Sequence, residues 1–207
     1  MILRGIDFGH VFNASGARGF FGEGYPFHKW WKLIGMTWEK TTFVAKTTTL
    51  KARPGNMSLA NDRITPRELF PKCIYVDPLK GIVLNAVGLS GPGADFLLSQ
   101  GRWQKRTEPF FISFMSLGAD KAERLQELRA FVALFKHFLP GFLAPVGLEL
   151  NFSCPNVGLH LDGLFNEIGE SLEIANELDI PLVVKLNPTV SAGFLIDIAR
   201  IPECDAI

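Results

Sequence analysis

From Thr107 onward the chain alternates short apolar runs with amphipathic stretches. Residues 109–115 (PFFISFM) are apolar and bounded by turn residues, the pattern of a strand buried on both faces. Residues 120–139 set Leu125, Leu128, Val132, Phe135 and Leu139 on one stripe, with Asp120, Glu123, Arg124 and Glu127 on the others, which predicts an amphipathic helix. Residues 146–152 (VGLELNF) predict the next strand, and Leu164, Ile168, Leu172, Ala175 and Leu178 recur at helical spacing after it. A third strand is expected over 181–186, a further helix over 191–200, and the first residues of one more strand at 205–207. Strands alternating with helices of this length imply parallel strands joined by right-handed crossovers, hence an α/β fold.

The first half is less regular. Residues 8–13 and 42–46 read as strands flanking 24–36, which is read as helical. Residues 73–77 and 80–84 flank Pro78-Leu79 and predict a hairpin, and 94–100 a short helix. Barrel-type strands then fall near residues 10, 44, 112, 149 and 184, with a sixth beginning at the end. A TIM (β/α)8 barrel has eight strands and typically about 250 residues. The expectation is therefore one barrel domain over 1–207, truncated after five to six strands.

Composition narrows the partners. Lysine plus arginine and aspartate plus glutamate each number 21, so no net charge gathers nucleic acid or an anionic membrane. With 47% hydrophobic residues the chain can bury a sizeable core. Its most apolar stretch, 131–150, is broken by Lys136, His137, Pro140 and Pro145, so no membrane span is expected. Three cysteines without a C-x-x-C pair fit neither a disulfide framework nor a four-thiolate zinc site, and suggest a reducing, cytoplasmic setting. The Asn-x-Ser triplets at Asn13, Asn56 and Asn151 are set aside as glycosylation sites in that setting.

In a barrel, the carboxyl ends of the strands face the active site. Those ends carry Asn13-Ala14-Ser15-Gly16, Lys46-Thr47-Thr48-Thr49, Asn85-Ala86-Val87-Gly88-Leu89, Asn151-Phe152-Ser153-Cys154-Pro155-Asn156 and Lys185-Leu186-Asn187-Pro188. Asparagine presents a donor and an acceptor side by side, which suits a flat, imide-like ligand. Lys46 and Lys185 add positive charge for a carboxylate, a phosphate or an electron-rich reduced flavin. Missing acid pairs and histidine clusters argue against a glycosidase or a zinc hydrolase.

The run Asn151 to Asn156 resembles the N-x-S-C-P-N signature of dihydroorotate dehydrogenases, flavin enzymes that oxidise dihydroorotate to orotate in pyrimidine synthesis. The other four motifs occur in that family's order. The resemblance implies a barrel that binds FMN as cofactor. Cys154 would be the base that removes a proton from substrate C5 while hydride passes from C6 to flavin N5. Lys46, Asn85, Asn151 and Asn156 would hold the substrate's carboxylate and ring amides, helped by main-chain groups of Val87, Gly88 and Leu89. Ala14, Ser15, Lys46, Thr47 and Lys185 would contact the flavin. A cysteine base resembles the soluble class. The partners implied are dihydroorotate and either a second copy of the chain or an electron-transfer subunit, with no nucleic acid and no membrane. The family's phosphate-binding loops lie on the last two strands, beyond residue 207.

The chain departs from the family after Leu89, where Ser90-Gly91 replaces Pro-Asn, and after Asn156, where Val157-Gly158-Leu159-His160 replaces Val-Pro-Gly. Alternatives are a related FMN barrel acting on another dihydropyrimidine, an inactive truncated fragment, and a Schiff-base aldolase using Lys185. Cys73 and Cys204 are read as inert, and the aromatic run from Phe20 to Trp38 as packing. His160 is placed near the site, on the loop that follows Cys154.

Overall fold

In the computed structural model the structure describes residues 1–31, 33, 35, 37–77, 79–153 and 161–207. A short antiparallel pair, β1 (Ile2–Leu3) and β2 (Ile6–Asp7), opens the chain. Then follow α1 (His28–Trp31), β3 (Phe43–Val44), the hairpin β4 (Ile74–Asp77) and β5 (Ile82–Asn85), and α2 (Ala94–Ser99). The second half is β6 (Phe110–Phe114), α3 (Lys121–Phe138), β7 (Val146–Asn151), α4 (Leu161–Asn176), β8 (Leu182–Lys185) and α5 (Ala192–Ala199).

The expected α/β alternation is present, with two helix starts capped by their own side chains. Asp120 accepts from the Glu123 amide at 2.9 Å to begin α3, and Ser191 from the Phe194 amide at 3.2 Å to begin α5. Four strands form one parallel sheet in the order β3-β6-β7-β8, with Phe43 opposite Phe110, Phe111 opposite Gly147 and Leu148 opposite Leu182. Single parallel bridges extend it on both flanks, Phe12 to Thr42 and Ala206 to Val183. Spatial order therefore follows chain order, as in a sheet built by successive crossovers.

Alternate residues face two cores. Phe110, Ile112, Phe114, Leu148, Leu150, Leu182 and Val184 pack with the apolar stripes of α3, α4 and α5 in the main core. Burying one such side chain contributes about 1.5–3 kcal/mol. On the other face Val44 and Phe111 meet Leu3 and Phe8, with Phe12, Val183 and Ala206 against them. Residues from both flanks of the sheet thus share one small cluster, so the sheet curls around it. Arg4 ties the β1–β2 turn to the other end of the chain, its Nε 3.0 and 3.1 Å from the two Asp205 oxygens.

Among the described strands β3, β6, β7 and β8 form an open four-stranded sheet, not the closed eight-stranded ring expected of a full barrel, and the other four form two separate antiparallel pairs. The segment 8–13 makes a single bridge in place of a strand, because the Asn13 side chain takes over the pairing. Its amide donates to the Val44 carbonyl at 2.8 Å and accepts from the Val44 amide at 3.2 Å. Helix over 24–36 is confined to the single turn α1 among the described residues. No helix among them is long and apolar enough to cross a membrane.

Candidate functional site

The carboxyl end of the parallel sheet gathers polar side chains that the strands' alternation turns away from the helix-packed core. Asn13, Ser15, Glu149 and Lys185, with Phe12, Val44, Phe111 and Val183 below them, line a cavity of about 400 Å³. That volume is in the range of small-molecule sites.

A ladder of hydroxyls crosses the strands beneath this opening. Thr47 Oγ1 lies 2.8 Å from Ser15 Oγ and 2.9 Å from Ser113 Oγ, and accepts from Asn151 Nδ2 at 3.0 Å. Ser113 Oγ in turn lies 2.6 Å from Glu149 Oε1, and Lys185 Nζ stands 3.9 Å from that same oxygen. Burial pushes the Glu149 carboxyl above the usual carboxylate range, opposed by Lys185 and by the hydroxyls of Ser113 and Ser15. Asn151 Oδ1 accepts from both the amide and the hydroxyl of Ser153, at 3.0 and 2.6 Å.

Lys46 occupies a second arm of the site. It is 6% exposed, donates to the Ser90 carbonyl and stands 4.6 Å from the Phe20 ring centroid. Burial lowers its pKa to about 8, against weaker upward pulls from Glu23 and Cys73. Ser90 closes the turn after β5, donating to the Val87 carbonyl at 3.0 Å and accepting from the Met57 amide at 3.0 Å. Gly88 and Leu89 both adopt left-handed backbone in that turn, with φ of 67° and 58°, the latter unusual for a residue with a branched side chain. Arg53 Nε holds the Gly88 carbonyl at 2.9 Å.

The structure therefore links Ser15, Thr47 and Asn151 by hydrogen bonds, and reaches Lys185 through Ser113 and Glu149; of these predicted residues Ala14, Ser15 and Lys185 line the cavity. It sets Lys46 against the turn that carries Val87, Gly88 and Leu89. Asn85 is exposed at the end of β5 and pairs with Ile74 across the hairpin. Cys154, Asn156 and His160 lie outside the described residues. Sequence reasoning missed Ser113, Glu149 and Ser90. For Glu149 a signal existed: a carboxylate inside the apolar run VGLELNF is as expensive to bury alone as the lysine inside VVKL.

A parallel α/β sheet with its polar cavity at the carboxyl ends of the strands is the layout of ligand-binding α/β enzymes. The sequence profile of the family described as dihydroorotate dehydrogenase matches residues 3–205, and the chain belongs to that family. It is 34% identical over 145 residues to the dihydroorotate dehydrogenase B (NAD(+)) catalytic subunit of Methanopyrus kandleri, covering 65% of this chain and 41% of that protein. Against the corresponding subunit of Desulforamulus reducens it is 32% identical over 169 residues, 77% of this chain and 46% of the relative. Against dihydroorotate dehydrogenase A (fumarate) of Lactobacillus delbrueckii it is 31% identical over 129 residues, 58% and 38% of the two chains. The chain spans about half the length of the curated relatives it matches.

Proposed function

We propose that this chain supplies the substrate and flavin contacts of a dihydroorotate dehydrogenase, an oxidoreductase that converts dihydroorotate to orotate. The observation that carries the reading is convergence: Ser15 and Lys185, from two separate sequence motifs, line one cavity, and the hydrogen bonds of Ser15 with Thr47 and of Asn151 with Thr47 tie two further motifs to it. Its hydroxyl, amide and ammonium groups fit the polar edge of a flavin ring, which favours FMN as the cofactor. FMN supplies the hydride acceptor when bound. Lys185 and Ser15 would meet the ring, Lys46 would stand between ring and substrate, and the turn at Val87, Gly88 and Leu89 would present main-chain groups to the substrate. Asn151 would hold Ser153, the residue before Cys154, while presenting its amide to the substrate's ring. Asn85 and Asn156 would complete the polar contacts, and Cys154 would take the C5 proton as a thiolate.

The curled parallel sheet supports an arc of a (β/α)8 barrel, with 1–207 as one FMN-binding barrel domain. The cysteine at the base position supports a cytoplasmic enzyme. The names of the first two relatives, as catalytic subunits, support an electron-transfer subunit as partner. The test is the visible spectrum of the purified chain with FMN, followed by anaerobic dihydroorotate. Bleaching of the flavin band that is lost in Cys154→Ala supports the reading, and a bound flavin that dihydroorotate never bleaches refutes it.

A further inference from the structure

Glu149 is a carboxyl at the cavity for which the reading above has no use. Its side chain is 13% exposed on β7, between Ser113 on β6 and Lys185 on β8. The hydrogens of the hydroxyl ladder can be counted, because each hydroxyl has one to give. The ladder runs from Glu149 through Ser113, Thr47 and Ser15 and ends at the Ala45 carbonyl, 3.0 Å from Ser15 Oγ, which can only accept.

If Glu149 is ionised, Ser113 must donate to it and Thr47 must donate to Ser113. The single hydrogen of Ser15 then has to serve both Thr47 and the Ala45 carbonyl. If Glu149 carries a proton, the direction reverses: Glu149 donates to Ser113, Ser113 to Thr47, Thr47 to Ser15 and Ser15 to Ala45. Asn151 Nδ2 fills the second acceptor site of Thr47, and each hydrogen bond along the ladder has its own hydrogen. Lys185 Nζ, at 3.9 Å, is too far from Glu149 to close a direct hydrogen bond.

Among the described residues Lys185 is the charged side chain that faces Glu149, from β8. Ser113 faces it from β6, and Ser15 from the segment after Phe12. The amino group of Met1, on the residue that closes the same cavity from below, is held by the Gly9 carbonyl and lies 3.8 Å from Asp7. Lys46 is turned to Ser90.

We propose that Glu149 is a proton-carrying positioning residue: protonated, it completes the ladder and leaves the Lys185 ammonium to the cavity, and ionised, it draws that ammonium into an ion pair. The functional weight of this rests on the reading of Lys185 as a ligand contact. An anionic or electron-rich ring at Lys185 competes with the carboxylate for the ammonium, so its binding is linked to proton uptake by Glu149. The burial that raises the Glu149 pKa acts in the same direction.

The experiment is infrared spectroscopy of the full chain with carbon-13-labelled glutamate, compared with Glu149→Gln across pH. A protonated-carboxyl band from Glu149 is expected to persist above the ordinary glutamate midpoint of about 4.3. Lys185→Met should move its disappearance to higher pH, and Lys185→Arg, which keeps the charge, should restore it. A wild-type chain without that band above the ordinary range overturns the proposal, whether or not the variants fold, as does a midpoint that ignores Lys185→Met. Calorimetric titration with FMN in buffers of different ionisation heat should show proton uptake, and binding without uptake overturns the linkage. Failure of FMN to bind refutes the cofactor reading alone, since the Glu149 band still decides this one.

Discussion

Asn151 Nδ2 donates to Thr47 Oγ1 across 3.0 Å and 104 residues of chain. The two side chains join the carboxyl end of β7 to the segment after β3, with β6 between them. Asn151 is saturated on its other side by Ser153, so one amide fixes both the hydroxyl ladder and the residue that precedes Cys154. Whatever Asn151 does for a ligand, it does from a position already locked by the fold.

Thr47→Val tests that lock. The change keeps the shape of the side chain and removes a hydroxyl with three partners, Ser15, Ser113 and Asn151. Leaving buried partners unmatched costs about 1–3 kcal/mol. A lowered urea midpoint of that size with an unchanged slope is expected, together with weaker FMN binding. A variant as stable as the parent would show that the ladder is not closed in solution.

Lys46 predicts a stability change with a definite sign. Its pKa falls from the ordinary 10.5 to about 8 on folding, so between those values the unfolded chain holds the proton more tightly. Burial of the ammonium therefore weighs against folding in full below about pH 8, and the penalty vanishes above 10.5. Relative to Lys46→Met, the parent should gain roughly 3 kcal/mol as pH rises through that window. Thermal or urea unfolding of both chains at several alkaline pH values measures the gap, and a gap independent of pH would count against the buried ammonium.

How much of this was legible in the sequence depends on where each element draws its order. β6, α3, β7, α4, β8 and α5 carry their own periodicity and caps, and Asp120 and Ser191 mark two helix starts. The first half takes its order from distant partners. Phe12 has one bridge to Thr42, and the Asn13 amide stands in for the missing strand pairing, a substitution that no local pattern announces. The pair β1–β2 has two residues per strand, too short for an alternation to register. In the site, Lys185 was legible because a lysine among valines is conspicuous. Ser113 was not, since a serine in a strand is unremarkable until its neighbours are known.

Gly147 carries the close approach that shapes the cavity floor. A Cβ there would overlap the Phe111 ring, lying 2.6 Å from its Cδ1, and would sit 3.1 Å from the Pro181 carbonyl oxygen. Phe111 cannot retreat, because its ring packs 4.3 Å from that of Phe8, centroid to centroid, in the inner cluster. Overpacking of this kind typically costs about 1–3 kcal/mol. Gly147→Ala should lower the unfolding midpoint accordingly, and Gly147→Ala with Phe111→Leu should recover part of it by relieving the overlap. Equal stability of Gly147→Ala and the parent would mean that Phe111 is free to move.

The ion pair between Arg124 on α3 and Glu167 on α4 separates two kinds of contribution. Arg124 Nε and Nη2 reach the two Glu167 oxygens at 2.6 and 2.7 Å, and the side chains are 11% and 4% exposed. Removing one partner leaves the other charge buried and unmatched, a loss of about 3–5 kcal/mol in comparable pairs, whereas replacing both by apolar residues is often nearly neutral. Arg124 also donates to the Gly118 carbonyl at 3.1 Å, so its loss frees the turn ahead of α3 as well. Glu167→Leu alone should therefore destabilise strongly, and Arg124→Met with Glu167→Leu should restore most of the loss in urea unfolding. If the double variant is as unstable as the single one, the pair contributes through its charges and not through the packing of α3 on α4.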